Sequence, residues 1–354
     1  MLYAKYTKTF LWFFGGLLGA FLVAQPVSGQ VSFKGKTLRM IATTSPGGGT
    51  DLTGRLTARY LTQYLPGNPK IIIQNIPGGA GVKGANYVAN RAKPDGLTLM
   101  QSHSTVAEPS ILRKGVVKYD PRKFPLIGGF NRGGSIIFVR KEAHKRLNDP
   151  SAKPVYVGAV SGLRTWNAMV VWAAEYLGWN VRWVTGYSGA SELVKALRQG
   201  EIDMTATSNA FLLKDLRDEG IADLLTQVGI ASGGKDIRRS SFTDVPTFTE
   251  LMGKKRPKGV KWEAYMAWVG TTYVDKWLAL PPKTPKKFLQ VYRRAFDKVV
   301  KNPEFLKLAK KQLSVDIISI SGKDLEVIMK DVVDVSDEAV NFASKLRKKY
   351  KLPE

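Results

Sequence analysis

Leu38-Arg39-Met40-Ile41-Ala42-Thr43-Thr44-Ser45-Pro46-Gly47-Gly48-Gly49-Thr50-Asp51-Leu52 is the stretch whose reading decides the fold. An apolar run feeds a glycine turn, and a helical pattern follows. Such a strand-turn-helix junction leaves backbone N–H groups at the helix start free to face one spot, with Thr50 or Asp51 expected to cap the helix. That spot suits an anion. Gly47, Gly48, Gly49, Thr50 and Asp51 are therefore the first candidate ligand contacts, with close backbone approach expected at Gly48. Asp51 is awkward beside an anion, so it reads first as a helix cap and second as a contact for a hydroxyl, amine or water of the ligand.

Outward from this point, Leu56, Tyr60, Leu61, Tyr64 and Leu65 fall at helical spacing until Pro66-Gly67. Ile71 to Ile73 reads as a short buried strand, Gly84 to Ala92 as an alanine-rich helix, and Leu97 to Gln101 as a third strand. The order strand, helix, strand, helix, strand predicts an α/β fold with a parallel sheet, whose ligands lie beyond the carboxyl ends of the strands. Ser102-His103-Ser104-Thr105 follows the third strand at that edge, so Ser104 and Thr105 are expected either to touch a ligand or to cap a helix. Gly79-Ala80-Gly81-Val82-Lys83-Gly84 matches G-x-G-x-x-G, but it follows the second strand and lacks an acidic residue about 20 positions on. Close loop packing is the better reading, and no cofactor is expected.

With 54 Lys plus Arg against 29 Asp plus Glu, the 354-residue chain carries +25, which points to anionic ligands or surfaces. Its length allows two domains. The chain contains no cysteine, so thiolate chemistry is excluded, and its two histidines, His103 and His144, lack a partner at metal-binding spacing. Gly186-Tyr187-Ser188-Gly189-Ala190 is not the G-x-S-x-G of a serine hydrolase, and no metal or catalytic set is expected. At the start of the chain Lys5 and Lys8 precede an apolar run from Phe10 to Ala24 and the small residues Val27-Ser28-Gly29. This reads as an export signal over residues 1–29, cut near Gly29, because the run is shorter than the ~20 residues that span a bilayer. Losing the two lysines would take +25 to +23. Export, and the absence of a zinc-finger or basic-heptad pattern, argue against nucleic acid as a partner.

Pro46-Gly47-Gly48-Gly49-Thr50-Asp51, Asn75-x-Pro77-Gly78-Gly79-Ala80-Gly81, Pro94-Asp95-Gly96-Leu97-Thr98, Tyr119-Asp120-Pro121 and Asp244-Val245-Pro246-Thr247-x-x-Glu250 occur in that order. Together they resemble the extracytoplasmic solute receptors of tripartite tricarboxylate transporters, the Bug family. The resemblance implies a two-domain type II periplasmic-binding-protein-like fold, a Venus flytrap in which each domain is a mostly parallel sheet flanked by helices. It implies a periplasmic, monomeric protein that closes on a small carboxylate through two loops, largely by backbone groups and water, and passes it to a two-subunit membrane permease. Residues 30–131 plus 273–354 would form the first domain and 132–272 the second.

In the second domain Ile136 to Val139 reads as a strand near a glycine-rich hinge at Gly128-Gly129 and Gly133-Gly134, and Pro154 to Ala159 as the strand before the second clamp loop. By the resemblance that loop holds Ser161, Gly162, Arg164 and Thr165, with Arg164 where the family pattern usually has glycine. A cation at a helix start is opposed by the helix dipole, so Arg164 either turns to solvent or meets an anion. Trp166 reads first as packing and second as a shelf for an aromatic ligand. Val181 to Val184, Met204 to Thr207 and Leu224 to Ile230 read as strands, with Ser208 and Asn209 capping the next helix or reaching the cleft. Glu263 to Thr272 reads as a returning strand, and the closing amphipathic helices, the last from Lys323 to Tyr350, as packing on the first domain. The leading function is a carboxylate-binding receptor; a ligand sensor for a membrane signalling partner and an exported enzyme are the alternatives.

Overall fold

The computed structural model describes residues 31–352 apart from 161, 163, 188–189 and 233–234, so the expected export signal lies outside the described residues. Strands β1 (Thr37–Ala42), β2 (Lys70–Asn75), β3 (Thr98–His103) and β4 (Leu126–Asn131) come first. Next are β5 (Ile136–Arg140), β6 (Val155–Ala159), β7 (Val181–Thr185), β8 (Met204–Thr207) and β9 (Ala222–Gln227). After a small ribbon of β10 (Ile230–Ser232) and β11 (Lys235–Ile237), the chain returns through β12 (Lys276–Ala279) and β13 (Ile318–Ser321).

Two sheets result. The first has the order β13-β4-β12-β3-β1-β2, with β1, β2 and β3 parallel and β12 and β13 antiparallel to their neighbours. The second has the order β7-β6-β8-β5-β9, with β5 antiparallel to the strands on either side. Helix Gly49–Tyr64 buries Thr53, Leu56, Thr57, Tyr60 and Leu61, the stripe its 3.6-residue period dictates. Ile71 to Ile73, read as buried, instead forms the edge of the first sheet, where Ile72 is 47% exposed.

Three other sequence expectations are corrected. Gly128-Gly129 lies inside buried β4, where a Cβ on Gly128 would stand 2.3 Å from the Phe296 ring, so the glycine makes room for an aromatic rather than for a hinge. Glu263 to Thr272 is not a strand: Val260–Val269 is a helix and Gly270–Val274 a 3-10 turn. This helix buries Ala264, Tyr265, Ala267, Trp268 and Val269, so its apolar run reflects burial on several sides rather than a strand. The last helix is two, Gly322–Val333 and Asp337–Lys349.

Leu325 and Met329 of the former join the core of the first sheet with Ile41, Met100 and Trp277. The latter, expected on the first domain, touches both: Asp337 pairs with Arg113 and Arg347 with Glu108, while Ala339, Ala343 and Leu346 enter the core that also holds Val139, Val157 and Met204 of the second sheet. Trp172 anchors that core, its ring 5.6 Å from Tyr265 and 6.2 Å from both Trp268 and Phe342. The chain therefore passes between the sheets more than once, first from β4 to β5 and again from Val269 to β12.

Candidate functional site

The carboxyl ends of β1, β3 and β4 and those of β6 and β8 open onto one cavity of about 670 Å³. From the first sheet come Thr43, Thr44, Gly49, Thr50, His103, Ser104 and Thr105, and from the second Val160, Arg164, Thr165, Thr207 and Ser208. Arg132, Asp275 and Lys276, on the two segments that pass between the sheets, also line it.

The start of helix Gly49–Tyr64 forms one pole. Leu52 N–H already bonds to Gly48, while the N–H groups of Gly49, Thr50 and Asp51 have no hydrogen-bond partner among the described residues. Gly48, not Thr50 or Asp51, occupies the N-cap position, and no side chain caps this end. Asp51 lies in the first turn and reaches back: its Oδ2 accepts from Gly47 N–H at 2.9 Å and Arg55 Nε at 2.8 Å, and its Oδ1 from Asn75 at 2.8 Å. Burial raises its pKa, yet Arg55, Asn75 and Gly47 outweigh that and hold it below the ordinary carboxylate value. Asp51 thus fixes the loop from behind. Gly48 has an ordinary φ of −74° and space for a Cβ. The tight position is Gly49, where a Cβ would stand 3.0 Å from Arg132 Nη1 and 3.8 Å from Lys276 Cε.

Those two cations complete the pole. Arg132 donates from Nε and Nη2 to the two oxygens of Asp275 at 2.6 and 3.0 Å, leaving Nη1 toward Gly49. Lys276 Nζ donates to Asp275 Oδ1 at 2.7 Å. Register explains the meeting: Lys276 lies opposite both His103 at the end of β3 and Phe130 near the end of β4. Burial and the repulsion of Arg132 push Lys276 down to about 8. Burial, then Lys276, push His103 down to about 3, so it is neutral at pH 7. Burial raises Asp275, but Arg132 and Lys276 prevail and keep it ionised, well below the usual carboxylate range.

Arg164 forms the other pole, in the turn where Asn167 N–H and Ala168 N–H bond back to Arg164 and Thr165 carbonyls at 3.0 and 3.2 Å. It reaches solvent through the cleft and has no acidic partner among the described residues; partial desolvation, then Arg132, lower its pKa. Three cationic side chains and one carboxylate line the cavity among the described residues, and with His103 neutral they leave it at +2. Thr272, buried at the cavity wall, has a hydroxyl without a hydrogen-bond partner among the described residues.

Of the residues singled out by sequence, Gly49, Thr50, Ser104, Thr105, Arg164, Thr165 and Ser208 line this cavity. Gly47, Gly48 and Asp51 lie behind it, Gly162 is buried outside its lining, and Ser161 lies outside the described residues. Asn209 is an N-cap, accepting from Phe211 and Leu212 N–H. Ser104 and Thr105 open a 3-10 turn with no side-chain cap bond at its start. Sequence reasoning missed Arg132, Asp275 and Lys276, whose only local signal is a charged pair entering the apolar strand Lys276–Ala279. In the second glycine loop Gly81, at φ +94°, brings its backbone so close that a Cβ would be 2.9 Å from His103 Nε2, and Pro77, Gly78, Ala80 and Gly81 also line the cavity.

A family model described as tripartite tricarboxylate transporter family receptor matches residues 55–341. The chain belongs to this receptor family. Part of the receptor is 39% identical, over 83 residues, to Protein BugT of Bordetella pertussis, an overlap of 23% of this chain and 24% of BugT. Its fold resembles a TctC solute binding protein from Polaromonas at TM-score 0.67 and 21% identity, covering 90% of this chain and 100% of that one. It also resembles an R. palustris protein solved with adipate, at TM-score 0.61 and 16% identity, covering 90% and 98%. Among the described residues of the receptor no helix is long and apolar enough to cross a membrane, and no His, Cys, Asp and Glu group could hold a metal ion.

Proposed function

We propose that this receptor is exported to the periplasm, captures a small carboxylate in the cavity between its two sheets and delivers it to a two-subunit membrane permease. The observation that carries the reading is the convergence, on one cavity, of the free N–H groups of Gly49 and Thr50 at the start of helix Gly49–Tyr64 with Arg132 and Lys276. Partial charge at a helix start and full charge on the cations add at the same place, so a carboxylate is the group best accommodated. The fold it shares with the adipate-bound R. palustris protein supports this reading.

On this reading residues 1–29 are a signal cut near Gly29. Residues 30–131 with most of 273–354 form one lobe and 132–272 the other, with the helix Asp337–Lys349 touching both. The lobes close on ligand about Arg132 to Ser135 and Thr271 to Asp275, because a ligand gripped by both stabilises the closed form. Gly49, Thr50, Ser104, Thr105, Arg164, Thr165 and Ser208 would face the acid directly or through water, and the protein would act as a monomer without enzymatic turnover. The test is a thermal-shift panel of mono-, di- and tricarboxylates, followed by uptake of any hit in cells lacking the gene. A stabilising carboxylate whose uptake is lost with the gene supports the reading; stabilisation by none of the acids, or unchanged uptake, contradicts it.

A further inference from the structure

We propose that Arg164 is a specificity-determining residue that makes this cleft select dianions, pairing through its side chain with a second anionic group while the first sits at the Gly49–Thr50 pole. The inference rests on the carboxylate reading above and assigns the ligand's charge and the residue that reads it.

Charge balance leads to it. Asp275 is shared between Arg132 and Lys276, with both oxygens engaged. Arg164 has no acidic partner among the described residues, although Arg132, Lys276 and His103 all lie within its electrostatic reach. The free cleft therefore keeps an uncompensated charge of +2, one unit on the Arg132–Asp275–Lys276 cluster and one on Arg164. A monocarboxylate satisfies the first pole and leaves the guanidinium repelled by its neighbours. A dianion satisfies both.

Position reinforces the point. Arg164 precedes helix Asn167–Leu177, whose start carries positive partial charge, so a cation there is disfavoured unless an anion arrives between it and the helix. Its planar fork suits a carboxylate better than a water-bridged backbone contact does. Val160, Trp166, Leu193 and Ala206 give the cavity apolar lining as well, which fits the hydrocarbon spacer of a diacid. Trp166 is buried and packs near Trp183, 6.1 Å between rings.

The experiment is calorimetry on the full mature protein, wild type against Arg164→Gln, Arg164→Gly and Arg164→Lys. The probes are succinate, glutarate and adipate, each paired with the monocarboxylate of equal chain length. The wild type is expected to prefer the best diacid by about 10- to 100-fold, the worth of one charged hydrogen-bonded contact. Arg164→Gln and Arg164→Gly should lose most of that ratio, by weakening the diacid alone, and Arg164→Lys should keep part of it. Urea unfolding of each variant at wild-type midpoint verifies that the side chain, exposed in the cleft, is not needed for the fold. The inference is overturned if wild type binds mono- and diacids equally, which leaves the carboxylate reading intact, or if Arg164→Gln weakens both alike. If wild type binds none of the acids, the carboxylate reading falls and this inference with it.

Discussion

Replacing Asp275 by Asn removes the one carboxylate on the cavity wall among the described residues while keeping the side chain's shape. In the wild type that carboxylate is 15% exposed and takes two bonds from Arg132 and one from Lys276, whose side chains are 25% and 7% exposed. Removing one partner of a buried ion pair costs about 3–5 kcal/mol, because the remaining charge is stranded. The cleft admits water to Arg132, which screens the stranded charge and brings the expected loss just below that range, to about 2–3 kcal/mol at pH 7. The assay is urea unfolding of both proteins, with and without a saturating dicarboxylate. A dianion should restore more stability to Asp275→Asn than it adds to wild type, since it supplies the negative charge the mutation took away. Raising the pH to 9 should recover part of the loss as well, because Lys276 then sheds its proton. A loss below about 0.5 kcal/mol, or equal stabilisation of both proteins by ligand, would show that the cluster's charges are not coupled as the geometry requires.

Three further outcomes follow from the same groups. His103 titrates near 3 in the folded chain against 6.5 in the unfolded one, so the unfolded state binds more protons between these values and stability falls as pH drops through that window; His103→Gln should remove about 1–2 kcal/mol of the pH 7 to pH 5 difference in urea unfolding, and parallel pH curves would contradict this. Lys276, lowered to about 8, loses charge above that pH, so carboxylate affinity should fall as pH rises through 8 and binding near pH 8 should take up protons; calorimetry in buffers of different ionisation enthalpy checks both, and proton release would refute the assignment. Arg239, fully buried, binds Asp316 at 2.6 and 2.9 Å, the Gly134 carbonyl at 3.1 Å and the Ser208 carbonyl at 3.1 Å, tying a segment between the sheets to the end of β8. Arg239→Met strands the Asp316 charge and should cost about 3–5 kcal/mol in urea unfolding, which Arg239→Met with Asp316→Leu should partly restore; no cost from the single change would refute a stabilising role.

The first sheet was legible because its parallel strands carry their signals locally: an apolar run, a glycine turn and a helix period between Thr37 and Gln101. The family resemblance was legible for the same reason, as loop motifs in a fixed order. What escaped depends on distant partners. Strand β4 hides behind Gly128-Gly129 because the groups that crowd those glycines, the Phe296 ring at Gly128 and the Lys276 carbonyl at Gly129, lie far along the chain. The helix Val260–Val269 resembles a strand because half of its residues are β-branched or aromatic, and only its burial against Trp172 and the last helix decides the matter. In the cavity, Thr50 and Arg164 could be found as loop residues at helix starts, whereas Arg132 and Asp275 are 143 positions apart and acquire meaning only when β4 and β12 become neighbours. Asp51 was ambiguous for a physical reason: the same carboxylate can cap, brace or bind, and Arg55 and Asn75 settle that it braces the loop.

The most direct measurement is the structure of the protein crystallised with the tightest acid from the thermal-shift panel. The account predicts one carboxylate within hydrogen-bond distance of the Gly49 or Thr50 N–H groups and beside Arg132 and Lys276, with a second anionic group at Arg164. A ligand bound elsewhere, or one whose carboxylate avoids the start of helix Gly49–Tyr64, would contradict it.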